Sequence, residues 1–158
     1  MATLDYTGSA VAGAMPPETF SGHAYYAPLY RRLAVADIIA ADSTMTTNGY
    51  IAADDVVQAI HVSAGYSIDY AVLRVITAST ASVACDVGLA GGSELIAAAQ
   101  GLMDATAGTC YRTLEAQSYD LGAVFTSNDT IDVEYTVANC LVGDSELFII
   151  GSQLVLGS

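Results

Sequence analysis

"DTIDVEYTVA", residues 129–138, decides the fold. Ile131, Val133, Tyr135 and Val137 alternate with Asp132, Glu134 and Thr136. That period of two puts apolar side chains on one face of a strand and polar ones on the other. One dry face and one wet face is how strands of an antiparallel sheet behave. Turn-forming residues bound the run, "SND" (127–129) before it and "NCLVGDSE" (139–146) after it.

Working outward, "SVACDVGLA" (82–90) alternates in the same way, with Val83, Cys85, Val87 and Leu89 on one face. "YSIDYAVLRVITAS" (66–79) is rich in β-branched and aromatic residues and predicts a long strand. "DVVQAIHVSAGY" (55–66) places Val56, Ile60 and Val62 on one face and Val57, Ala59 and His61 on the other, and "SAG" (63–65) supplies a turn. "RRLAVADIIAAD" (31–42) reads as a strand, and "CYRTLEAQS" (110–118) is β-like. Alanines, Leu95, Ile96, Leu102 and Met103 give residues 91–108 a roughly helical spacing, read as a helical turn or compact loop. "SELFIIGSQLVLG" (145–157) is apolar on both faces: Phe148, Ile150, Leu154 and Leu156 on one, Leu147, Ile149 and Val155 on the other. Such a strand is covered on both sides or packs against a neighbouring chain. About seven or eight short strands without alternating helices predict an all-β antiparallel sandwich or jelly roll, with one short helical segment.

The first thirty residues differ. They are rich in Ala, Gly, Pro, Ser and Thr, have no period, and carry Tyr6, Pro16, Pro17, Phe20, Tyr25, Tyr26, Pro28 and Tyr30. The prolines favour extended backbone and deny local hydrogen bonds. Fully extended, such a segment reaches about 100 Å at roughly 3.3 Å per residue. The expected organisation is therefore an extended N-terminal arm (1–30) and a β-sandwich domain (31–158). The arm's aromatic residues would lie on a neighbouring subunit, and Arg31 and Arg32 at its base would pair with that neighbour's acids. The alternative is that Phe20 to Tyr30 pack on their own sandwich.

Composition narrows the function. The chain has 158 residues, 53% of them apolar and only 13% charged. Seventeen acids stand against four arginines and no lysine, a net charge of −13. That charge excludes nucleic-acid binding through a basic surface and attraction to an anionic membrane. A small body with few charges to cover it predicts contact with other chains. No basic start followed by an apolar block marks a secretory leader, and no apolar run reaches the roughly 20 residues of a membrane helix. Cys85, Cys110 and Cys140 are too few and too widely spaced for a disulfide framework. His23 and His61 lack close-spaced ligand partners, no G-x-S-x-G elbow is present, and "GLAGGSEL" (88–95) carries no phosphate-loop lysine. No catalytic, cofactor or metal site is expected.

Three phrases carry a family resemblance. "ADDVVQAIHVSAGYSIDYAVLRVITAS" (53–79), "ACDVGLAGGSELIAAA" (84–99) and "SNDTIDVEYTVA" (127–138) are similar, in order and spacing, to segments of structural proteins of tailed phages. The resemblance implies a capsid decoration (cement) protein or related virion component with a sandwich or jelly-roll body. It would be made in the host cytoplasm and sit on the capsid surface. It would form a homotrimer that clamps the major capsid protein. Leu147 and Ile149, on the two-faced strand, are the residues expected at the seam between trimer mates. The competing reading is a tail-fibre, head-fibre or adaptor module that binds a host glycan or another virion protein.

Overall fold

The alternation at 129–138 becomes the middle strand of a sheet. The computed structural model describes residues 3–5, 11–12, 24–79, 83–89, 93–96, 106–112 and 121–154. In chain order the elements are β1 (Thr3–Asp5), β2 (Val11–Ala12), β3 (Ala24–Tyr26), β4 (Leu29–Ala34), α1 (Val35–Ala41), α2 (Ser43–Asn48), β5 (Val56–Val62), β6 (Tyr66–Thr77), β7 (Ala84–Leu89), β8 (Ser93–Ile96), β9 (Cys110–Arg112), β10 (Asp129–Thr136) and β11 (Asp144–Leu154). They make two sheets, ordered β1-β5-β10-β7-β8 and β2-β4-β11-β6-β9, with β3 also pairing β11. All the pairings are antiparallel except β1 with β5, which is parallel. The protein is an all-β sandwich.

The core lies between the sheets. The first contributes Val57, Ile60, Val62, Cys85, Val87, Ile131, Val133 and Tyr135, and the second contributes Leu33, Ile68, Ala71, Leu73, Leu147 and Ile149. Ile131, Val133 and Tyr135 are buried as their alternation predicts, but Val137 is not: it is 72% exposed. β10 stops at Thr136, and Val137 takes φ 72° in a γ-turn closed by the Ala138 N–H donating to the Thr136 carbonyl at 2.9 Å. That is a strained conformation for a β-branched residue.

On β5 the expected faces are re-sorted. Ile131 pairs Ile60 while Asp132 pairs Gln58, so Ala59 is an extra residue in a β-bulge. The bulge puts Val57 on the same inner face as Ile60 and Val62 and leaves Val56 half-buried.

Two further expectations are corrected. Residues 31–42 are strand only to Ala34; Val35–Ala41 is helical and buries Val35 and Ile38, three residues apart. α2 starts at once because the Asp42 carboxylate accepts the Thr44 and Met45 N–H groups at 2.8 and 2.9 Å, an N-cap that also closes α1. Gly49 at φ 76° ends α2 in the left-handed conformation. Among the described residues the helical content thus precedes β5. Of the stretch 91–108, Ser93–Ile96 is strand β8, and residues 97–105 lie outside the described residues.

The described pieces of the N-terminal thirty residues pair with the body's own sheets: β1 with β5, β2 with β4, β3 with β11. β3 and β4 run along one side of β11 as a single line interrupted at Ala27 and Pro28. Pro28 has no N–H for the ladder, and the line breaks there. β4 runs across residues 30 and 31, where the arm was expected to meet the body. Tyr6, Pro16, Pro17 and Phe20 lie outside the described residues.

Candidate interaction surface

Parity along three adjacent strands sorts the side chains of the second sheet. On β11, Leu147 and Ile149 face inward and are fully buried in the chain's own core. They are therefore not seam residues. The same parity sends Glu146, Phe148 and Ile150 outward. On β6, Tyr70, Val72 and Arg74 lie opposite them, and on β4 Tyr30 and Arg32 do. Beyond β6, Arg112 and Cys110 of β9 pair Val72 and Arg74. The outer face of this sheet is thus a patch of aromatic and aliphatic residues studded with arginine. Tyr30 and Phe148 stack across strands at 5.0 Å between ring centroids. Tyr70 is 45% exposed and Tyr26, at the end of the patch, 59%.

The arginines have in-chain roles that sequence alone did not assign. Arg31 faces inward and is buried. The Arg32 guanidinium donates through Nε to both Asp144 carboxylate oxygens, at 3.0 and 3.1 Å, and through Nη2 to the same group. The two arginines expected to meet a neighbour's acids are engaged within this chain, Arg31 by burial and Arg32 by Asp144. Arg74 Nε donates to Glu146 Oε2 at 2.9 Å, and the Tyr30 hydroxyl donates to Glu146 Oε1 at 3.0 Å. Burial, followed by the Glu146 hydrogen bond, raises the Tyr30 hydroxyl's pKa. Arg112 is exposed, and among the described residues it has no hydrogen-bond or ion-pair partner.

The outer face of the first sheet is opposite in character. Glu134 of β10 sits directly across from Asp86 of β7, with Asp132 two residues away. Burial raises the pKa of Asp132, partly offset by the Thr130 hydroxyl donating to it at 2.7 Å. Burial also raises that of Glu134, with Asp86 and Asp54 adding to the shift. Both carboxyl groups hold their proton more tightly in the folded chain, so they favour folding when protonated and oppose it as the pH climbs through and above the ordinary carboxylate range. The double variant Asp132→Asn/Glu134→Gln is expected to raise Tm at about pH 7 and leave it unchanged near pH 3, where both groups are protonated in either state. Thermal unfolding at the two pH values checks this.

His61 is exposed, and His23 lies outside the described residues. Among the described residues no group of three or more His, Cys, Asp or Glu side chains is arranged to hold a metal. Cys85 and Cys140 are buried free thiols, and burial pushes the Cys85 thiol well above its usual range. Among the described residues no helix is long and apolar enough to cross a membrane.

No protein-family model matches the chain, and no curated protein does. Solved structures do. A chain in the structure titled "Capsid of Ralstonia phage GP4" superposes with a TM-score of 0.58 at 14% identity, covering 90% of each chain. A chain in the "Cyanophage Pam1 capsid asymmetric unit" superposes with a TM-score of 0.52 at 16% identity, covering 89% of this chain and 91% of that one. The sandwich is therefore a fold found in phage capsid structures.

Proposed function

We propose that this chain is a non-catalytic structural protein of a phage virion, a capsid decoration (cement) protein that rests on major capsid subunits and holds neighbouring ones together. The observation that carries the reading is the extent of the structural match, 90% of this chain and 90% of its counterpart in a phage capsid. A shared superfold by itself does not transfer function. Here the likeness covers nine-tenths of both chains.

The composition of the second sheet's outer face supports the same reading. Tyr, Phe and Arg are the residue types enriched in protein interfaces, and isolated acids are depleted there. The homotrimer that the resemblance implies was expected to place Leu147 and Ile149 at its seam; with both in the chain's own core, self-association would use other residues. For residues 1–30 we propose that Tyr6, Pro16, Pro17 and Phe20 contact the neighbouring subunit from between the paired strands β1, β2 and β3.

Quantitative mass spectrometry of gradient-purified particles of the encoding phage tests the proposal. The expected result is a copy number within a small integer ratio of the major capsid protein. Absence from the particle, or a handful of copies, would overturn it.

A further inference from the structure

We propose that a second copy of this chain covers the outer face of the β2-β4-β11-β6-β9 sheet, across a two-fold axis running along the strands. The inference names the surface for the self-association proposed above and rests on that reading only for its biological setting.

Charge singles out this face. Among the described residues its acids are Asp144, Glu146 and the bulge residue Asp69, against Arg32, Arg74 and Arg112. Three against three cancel. The remaining fourteen acids and one arginine of the chain carry the entire −13. Two copies of so acidic a protein repel over most of their surfaces, and here they do not. Opposite, the first sheet's Asp86, Asp132 and Glu134 would meet their own like in a symmetric pair.

The order of residues across the sheet then selects the symmetry. Tyr30, Phe148, Val72 and Arg112 form one cross-strand row, a residue from each of β4, β11, β6 and β9. A two-fold axis along the strands, between β11 and β6, reverses this row on the facing copy. Val72 of each copy then lies over Phe148 of the other. Each exposed Arg112 lies over the other copy's Tyr30 ring, beside the Glu146 carboxylate that Tyr30 holds. A cation over an aromatic face, with a carboxylate at its rim, is a favourable setting for guanidinium. The row is its own complement, as an isologous interface requires. The four strands that overlap across this axis, β4, β11, β6 and β9, are spaced about 4.8 Å apart and span roughly 14 Å; β4, β11 and β6 are each at least six residues long and β9 is three.

Sedimentation equilibrium of the full chain, up to about 100 μM, reads the outcome. The wild type is expected to be a dimer, tighter at high salt because screening weakens the net repulsion. Arg112→Glu and Val72→Glu are each expected to weaken it about 100-fold. Gln58→Glu, on the other sheet, is expected to leave it unchanged. Circular dichroism and a retained melting transition show that each variant folds. A wild-type monomer or trimer, or a dimer indifferent to both Arg112→Glu and Val72→Glu, would overturn the inference. A monomer that is nonetheless abundant on particles removes the dimer and leaves the virion reading intact; a dimer absent from particles does the reverse.

Discussion

Gly151→Ala is expected to yield little or no folded protein. Gly151 lies on β11 where that strand meets β6 on one side and the β3–β4 line on the other. A Cβ at this position would stand 2.1 Å from the Ser67 carbonyl oxygen and 2.8 Å from both the Tyr66 ring and its hydroxyl. The first contact is with backbone, so no rotamer change relieves it, and β6 and β11 would have to separate. The crossing also carries hydrogen bonds that hold the chain's early residues. The Tyr66 hydroxyl reaches over the glycine and donates to the Ala27 carbonyl at 2.6 Å, and the Ala27 N–H donates to the Gly151 carbonyl at 2.9 Å. Losing this junction is expected to cost about 4 kcal/mol or more, against the about 5–15 kcal/mol that stabilises a typical domain. Tyr66→Phe keeps the ring and removes only the donor, and about 1–3 kcal/mol is expected for the stranded carbonyl. Urea denaturation of the two variants measures both. A Gly151→Ala protein with a wild-type midpoint would show that the strands do not cross this closely.

The second large effect separates core from surface on adjacent residues. Ile149→Asp is expected to abolish folding, because it places a carboxylate without a partner at a fully buried site between the sheets. Ile150→Asp, one residue on, points outward from the same strand and is expected to keep a cooperative unfolding transition. A soluble, folded Ile149→Asp monomer would instead restore the seam role that sequence assigned to this residue. Soluble yield and circular dichroism distinguish the two.

What sequence could read here depended on how local the determining physics was. β10 was legible because its period, its polar face and its flanking turns all lie within ten residues of chain. β6, β7 and the bounds of β5 followed for the same reason. The faces of β5 did not, since a single bulge at Ala59 swaps Val56 and Val57 between them and is fixed only by the partner strand. "VADIIAA" reads equally as strand or helix, because its apolar residues satisfy either period over so short a run. The deciding signal is Asp42 ahead of a short polar helix, an N-cap legible in the sequence. For the interaction surface, sequence recognised that β11 is apolar on both sides but assigned its sides the wrong way round. Leu147 and Ile149 could be told from Phe148 and Ile150 only through the register with β4 and β6. Arg74, Arg112 and Tyr70 were missed because they come together only through pairings between distant parts of the chain. Among the aromatic residues of the leader, Tyr30 belongs to the face that matters, while Tyr25 and Tyr26 sit on β3, against β11.

Cryo-electron microscopy of the encoding phage's particles tests the central claim most directly. The account predicts density for the two-sheet body at regular, symmetry-related positions on the capsid, with the arginine-bearing face covered by protein and the face carrying Asp86, Asp132 and Glu134 turned away from that contact. Particles bearing no such density on the head, or bearing it with the arginine face open to solvent, would contradict it.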